Sequence, residues 1–181
     1  MRPPKGGLNQ IGGPRPRAGA DRPMGIKARM IRRALRSGQP ALQVAALPWR
    51  RTRGRTEILL VTSRRTRRLI IPKGWPMAGC PPARAAEIEA MEEAGAYGTA
   101  GPVPLGFYRY DKLLDTPRST LWLPVQLPVQ VPVQVTVFPL RVRLLLPQWK
   151  EAAERDRLWI RAGEARSIIG DPGLAALVAR L

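Results

Sequence analysis

Residues 83–94, ARAAEIEAMEEA, read as a helix carrying Glu87, Glu89, Glu92 and Glu93. At about 100° per residue, Glu93 lies about 40° from Glu89, and Glu92 about 60° to its other side. These three carboxylates share one arc, while Glu87 lies far around the cylinder. So stacked, they repel by a few tenths of a kcal/mol per pair. A hard divalent cation, which prefers oxygen ligands, is the natural compensation, and the same cluster supplies a carboxylate able to act as a base. An ordinary solvated acidic face is the alternative. The chain has no His and a single Cys, Cys80. That excludes His-based catalysis, a Ser-His triad, a disulfide framework and a multi-thiolate zinc site. Acid–base work falls to carboxylates, Lys or Tyr.

The helix needs a scaffold, and its flanks outline one. Pro81 and Pro82 suit a first helical turn, Gly95 suits a left-handed cap, and Ala85, Ile88 and Met91 offer an apolar flank. Short apolar runs predict strands at 42–47, closed by Pro48, at 57–62 and at 69–71, stopped by Pro72. Further strands are predicted at 105–111, 134–145 and 158–160, and helices at 163–169 and 172–181. Arg50 to Arg55 reads as a hairpin loop, Ser63 to Arg68 as a basic turn and residues 72–82 as a loop. The tandem LPVQ-LPVQ-VPVQ of residues 123–134 puts a Pro in every unit. Pro cannot donate to a ladder, so the repeat reads as an extended insertion or edge hairpin, and Pro139 demands an edge or bulge. Strands on both sides of one strong helix indicate an α/β fold with a mixed sheet and helices on both faces.

The 181 residues suit one domain plus tails. The formal net charge is +18. Residues 1–40 hold ten basic residues against Asp21 alone. The first 22, rich in Pro, Gly and Arg, hold almost nothing apolar and read as disordered, and residues 24–37 as a short basic amphipathic helix. Residues 1–40 therefore read as a basic Pro/Gly/Arg-rich arm and 41–181 as the domain. The arm is either a solvated tail or an attractor of phosphates, with weak nucleic-acid contact as one outcome. No apolar run of about 18 residues is present, so no membrane partner is expected. With no targeting or disulfide signal, the cytoplasm is the default.

Residues 74–96, GWPMAGCPPARAAEIEAMEEAGA, resemble the Nudix box, G-x5-E-x7-R-E-U-x-E-E-x-G-U with U aliphatic. Gly74, Glu89, Glu92, Glu93 and Gly95 keep every spacing, while Cys80 stands at the first Glu position and Ile88 at the Arg position. LIIPKGWP (69–76), QVAALPWR (43–50) and WKEAAERDRLWI (149–160) are similar to the branch acting on diphosphoinositol and diadenosine polyphosphates. The resemblance implies a Nudix-like α/β/α sandwich with a mixed sheet and a catalytic loop-helix-loop. It implies Mg2+ or Mn2+ held by Glu89, Glu92 and Glu93, with Glu89, Glu93 and Glu151 as catalytic candidates. Ser63, Arg64, Arg65, Lys73 and Gly74 are then expected to meet the substrate, an anionic phosphorylated small molecule. The activity implied is hydrolysis of a pyrophosphate bond in a nucleoside-diphosphate-linked, dinucleoside polyphosphate or inositol pyrophosphate compound. The alternative is a scaffold of weakened catalysis that binds nucleotide or RNA. A homodimer is the oligomer the resemblance suggests.

Overall fold

The computed structural model describes residues 25–114 and 129–181. The arm expected over residues 1–22 and the first half of the repeat, 123–128, lie outside the described residues. An eight-stranded sheet forms the centre. Its strands are β1 (Ala41–Thr52), β2 (Arg55–Thr62), β3 (Leu69–Ile70), β4 (Lys73–Gly74), β5 (Ala96–Ala100), β6 (Gly106–Leu114), β7 (Val129–Leu145) and β8 (Arg157–Arg161). The helices are α1 (Ile26–Ser37), α2 (Pro82–Ala94), α3 (Ala165–Ile168) and α4 (Pro172–Val178). β1 and β7 pair in parallel over Ala41–Trp49 and Val133–Arg141. The other pairings are antiparallel, so the sheet is mixed, as expected.

Strand alternation divides the core in two. Val44, Ala46, Leu59 and Val61 face α2, whose Ala85, Ala86, Ala90 and Ala94 are small enough to let the helix lie close. Ala45, Leu47, Ile58 and Leu60 face the opposite side, under α1, α3 and α4. β1 is buried from Val44 to Pro48, as a strand covered on both faces should be.

Three prolines sit where the sequence reading did not place them. β1 does not close at Pro48 but runs through it. Ala46, two residues earlier and aimed at the same edge, donates to the Pro72 carbonyl, and pairing with β2 begins only at Trp49. The missing N–H of Pro48 thus falls in the gap between β4 and β2. Pro139 lies where the antiparallel partner of β7 changes from β6, which ends at Val137, to β5, which begins at Leu140. The repeat is not an insertion over 129–134, because these residues open β7. Pro132 pairs only with β6, since β1 joins at Val133, and Val131, Val133, Val135 and Val137 all point into the core.

The turn between β1 and β2 is tighter than expected. Arg53 and Gly54 both take positive φ, 51° and 76°, the pattern of a two-residue hairpin turn. Residues 73–74 and 96–100, read as loop or left unassigned, form β4 and β5.

Candidate active site

α2 starts with Pro82 in its first turn and ends at Gly95, whose φ of 62° and N–H to Ala90 and Met91 carbonyls close the helix. Its Glu side chains then go four ways. Glu87 accepts from the Ala100 N–H at 2.8 Å and pairs with Arg84, tying the helix to β5. Glu93 is buried and accepts from the Lys73 backbone N–H at 3.1 Å. Glu92 is half-exposed and pairs with Lys150 at 2.8 Å. Glu89 lies against Gly74: a Cβ there would stand 1.8 Å from its Oε1, so only glycine leaves room for this carboxylate.

The loop after β7 completes the site by capping α2. Trp149 Nε1 donates to the Glu93 carbonyl, and Arg157 donates to the Ala94 and Leu146 carbonyls. The Glu151 N–H donates to the Glu92 carbonyl at 3.2 Å. Through these bonds Glu151 stands beside the helix. Its carboxylate takes a 2.5 Å bond from Arg155 Nε and lies 3.7 Å from Arg64. Arg155, 6% exposed, also binds the Glu93 carboxylate and donates to the Thr62 carbonyl. This guanidinium, in the same loop before β8 as Glu151, spans both carboxylates. At the box position where an Arg is expected, the helix has Ile88.

Carboxylates therefore crowd together. Burial, then Glu93, Glu92 and Glu151, push Glu89 up to about 7. Burial raises Glu93, opposed by Lys73 and Arg155. The Lys73 ammonium is pushed down by burial, against the pull of Glu93. Lys112 also faces this region, and sequence reasoning missed it. Burial, then Lys73 and Lys27, push it down to about 8, and it lies 5.6 Å from the Trp75 ring centroid. The available signal was period two on β6: Tyr108 and Tyr110 point inward, so Lys112 does too. Trp75 packs against the core opposite α2 rather than over that helix.

Other expected residues sit differently. Ser63 is occupied with its own turn, sharing a 2.7 Å bond with Thr66 and accepting from the Arg68 N–H. Arg64 reaches Glu154 and Glu151. Arg65 is exposed on the same turn. Gly74 pairs with Val44 of β1 and makes space for Glu89.

The expected trio does not close on one point. Among the described residues, no three acidic, Cys or His side chains stand ready to hold a metal. Glu92 is drawn to Lys150 and Glu93 to Arg155, while Glu89 forms no ion pair among the described residues. The donor chemistry nevertheless fits a hard cation: carboxylate oxygens crowded enough to hold Glu89 near neutral pH, with the Glu92 partner a surface lysine that gives way easily.

No model of a known protein family matches the chain. Nudix hydrolase 12, mitochondrial, of Arabidopsis thaliana is 30% identical over 109 residues, covering 60% of this chain and 50% of that protein. The chain thus spans about half the length of this curated relative. Among solved structures, the Ap4A hydrolase of C. elegans matches with a TM-score of 0.54 at 16% identity, over 78% of this chain and 96% of that one. A Nudix hydrolase from Nitrosomonas europaea matches with a TM-score of 0.55 at 20% identity, over 78% and 87%. Such identities speak for the fold. No helix among the described residues is long and apolar enough to cross a membrane. This chain is similar to the Nudix hydrolases, and its fold is theirs.

Proposed function

We propose that this chain hydrolyses a pyrophosphate bond in an anionic, phosphorylated substrate. The observation that carries the reading is the juxtaposition on one helix turn of the buried Glu93 and the crowded Glu89 with two half-buried ammonium groups, Lys73 and Lys112. Acidic and cationic side chains kept side by side match what phosphoryl transfer demands, which is positioning and charge stabilisation.

In this reading Glu89, Glu92 and Glu93 hold Mg2+ or Mn2+, which when bound offsets phosphate charge and makes water more acidic. Glu92 leaves Lys150 to do so. Glu89, which pairs with no basic side chain among the described residues, is also the candidate base. Glu151 is a positioning residue, because its carboxylate holds Arg155 against Glu93. Lys73 and Lys112 bind phosphate oxygens, and Arg64 contributes from the rim. The substrate class fits the Ap4A hydrolase likeness: a dinucleoside polyphosphate, a nucleoside diphosphate derivative or an inositol pyrophosphate. The cytoplasm remains the proposed location.

A second reading, a nucleotide-binding scaffold of weakened catalysis, is favoured by one observation. Both box substitutions, Cys80 and Ile88, are real, and Arg155 occupies one side of Glu93. Phosphate release from a panel of polyphosphates, with Mg2+ and with chelator, separates the two. Metal-dependent turnover supports the hydrolase. Metal-independent binding without turnover supports the scaffold.

A further inference from the structure

β6 leaves one edge open. Among the described residues it pairs with β7 alone, from Gly106 to Leu114 and without a shift of register. An open edge offers its backbone donors and acceptors to any second strand, and folded chains commonly blunt it with proline, a bulge or charged side chains. β5, which also pairs only with β7, is blunted: its register shifts between Tyr97 and Gly98, and Glu87 takes the Ala100 N–H. β6 has nine residues, no proline and no bulge. Its outward charges are of both signs, and their order matters.

The residues of β6 that point away from the core are Phe107, Arg109, Asp111 and Leu113, all exposed. Phe107 and Leu113 are 56% and 43% exposed, a large share for apolar side chains on a strand. The row reads apolar, cation, anion, apolar, and it is complementary to itself. In two copies of β6 laid antiparallel about a two-fold axis through Tyr110, residues equally far from Tyr110 stand opposite each other. Phe107 of each copy then faces Leu113 of the other, and Arg109 faces Asp111. Each contact is made twice, as a two-fold axis requires. Opposed side chains on one face lie about 4.5–5.5 Å apart at Cβ, close enough for both kinds of pair. On the inner face Tyr108 stands opposite Lys112, which adds no like-charge pair. The register is specific: an axis through Arg109 or Asp111 instead sets that charge against its own copy. The net charge of +18 opposes self-association, but the outward row is itself neutral, and the long-range repulsion is screened at physiological salt.

We propose that two copies of this chain associate through β6, antiparallel about Tyr110, so that their sheets join into one. Such pairing holds or fails independently of hydrolysis at the Glu site.

The test is sedimentation velocity of the full chain across a wide range of concentration, at about 0.15 M salt. Arg109→Asp, Asp111→Arg and the Arg109→Asp/Asp111→Arg double variant run beside it. The substituted side chains are exposed, and a thermal melt checks that each variant folds. Wild type should show a monomer–dimer equilibrium. Each single variant places like charges opposite each other twice and should weaken dimerisation about tenfold or more. The two move the net charge in opposite directions, so a shared loss is not an effect of net charge. Asp111→Arg also leaves the Arg109 bonds to Gln134 in place. The double variant reverses both signs, restores the match and should regain most of the loss. In wild type, amide exchange over residues 106–114 should slow as dimer accumulates. A chain monomeric throughout overturns the proposal. So does a dimer that both single variants leave intact, a double variant that associates no better than they do, or exchange over β6 that ignores concentration.

Discussion

Arg155 and Glu93 illustrate how single residues set this site. Both are nearly excluded from water, at 5% and 8% side-chain exposure, and each compensates the other's charge. Removing one partner of a buried pair leaves an unpaired charge, at about 3–5 kcal/mol. Arg155→Leu should lower stability by that amount and also free Glu151; denaturant unfolding with turnover measured in parallel checks both. Gly74→Ala should act on chemistry instead. The new methyl has no room beside Glu89, so turnover should fall at least tenfold with secondary structure retained, as read by kinetics and circular dichroism. Glu89 gives the metal-free protein a pH dependence. With its carboxyl raised to about 7 against an ordinary 4.5, the folded chain keeps a proton that the unfolded chain has released. Its contribution to stability is therefore full below about 4.5 and declines as pH rises to 7. In chelator, Glu89→Gln should melt progressively above wild type from pH 5 to 7.5. A constant gap would contradict the crowding of these carboxylates. The Glu arc and its box spacing were legible because helical periodicity is local. Arg155 was not, since its partner lies 62 residues away and only the closed sheet brings them together.

Secondary elements show the same division. α2 could be bounded from its own residues, Pro82 and Gly95. The prolines of β1 and β7 were misread because whether a missing N–H matters depends on which edge of the strand lacks a partner there. Period-two valines continuing from 131 into 137 were the available sign that the second half of the repeat is strand. Lys112 was hidden for a related reason: a lysine is expected outside until its strand face is known. One coupling belongs to this scale. Gly95 ends α2 at positive φ, and a Cβ there would meet Trp149 at 3.1 Å and Arg157 at 3.0 Å. Gly95→Ala should cost at least about 1 kcal/mol from backbone strain alone, and also shift the loop bearing Glu151. Thermal melts and the kcat of the variant would show both effects together, and a stability loss without a kcat change would uncouple loop from site.

The whole molecule is a mixed sheet with α2 on one face and α1, α3 and α4 on the other. Its active-site candidate lies where α2, β4 and the loop before β8 converge. The charge of +18 is uneven, concentrated in the arm and α1 and in the basic turns beside the site. This distribution suits an anionic substrate, whichever its size. The most direct test of the account is phosphate release from diadenosine polyphosphates, an inositol pyrophosphate and nucleoside triphosphates. Wild type and Glu93→Gln are compared with Mg2+ and with chelator. The account predicts turnover of one class that requires Mg2+ and drops at least about 100-fold in Glu93→Gln, on the order of what electrostatic groups at such centres supply. Folded wild-type protein inert toward every compound, or turnover indifferent to both chelator and Glu93→Gln, would contradict it.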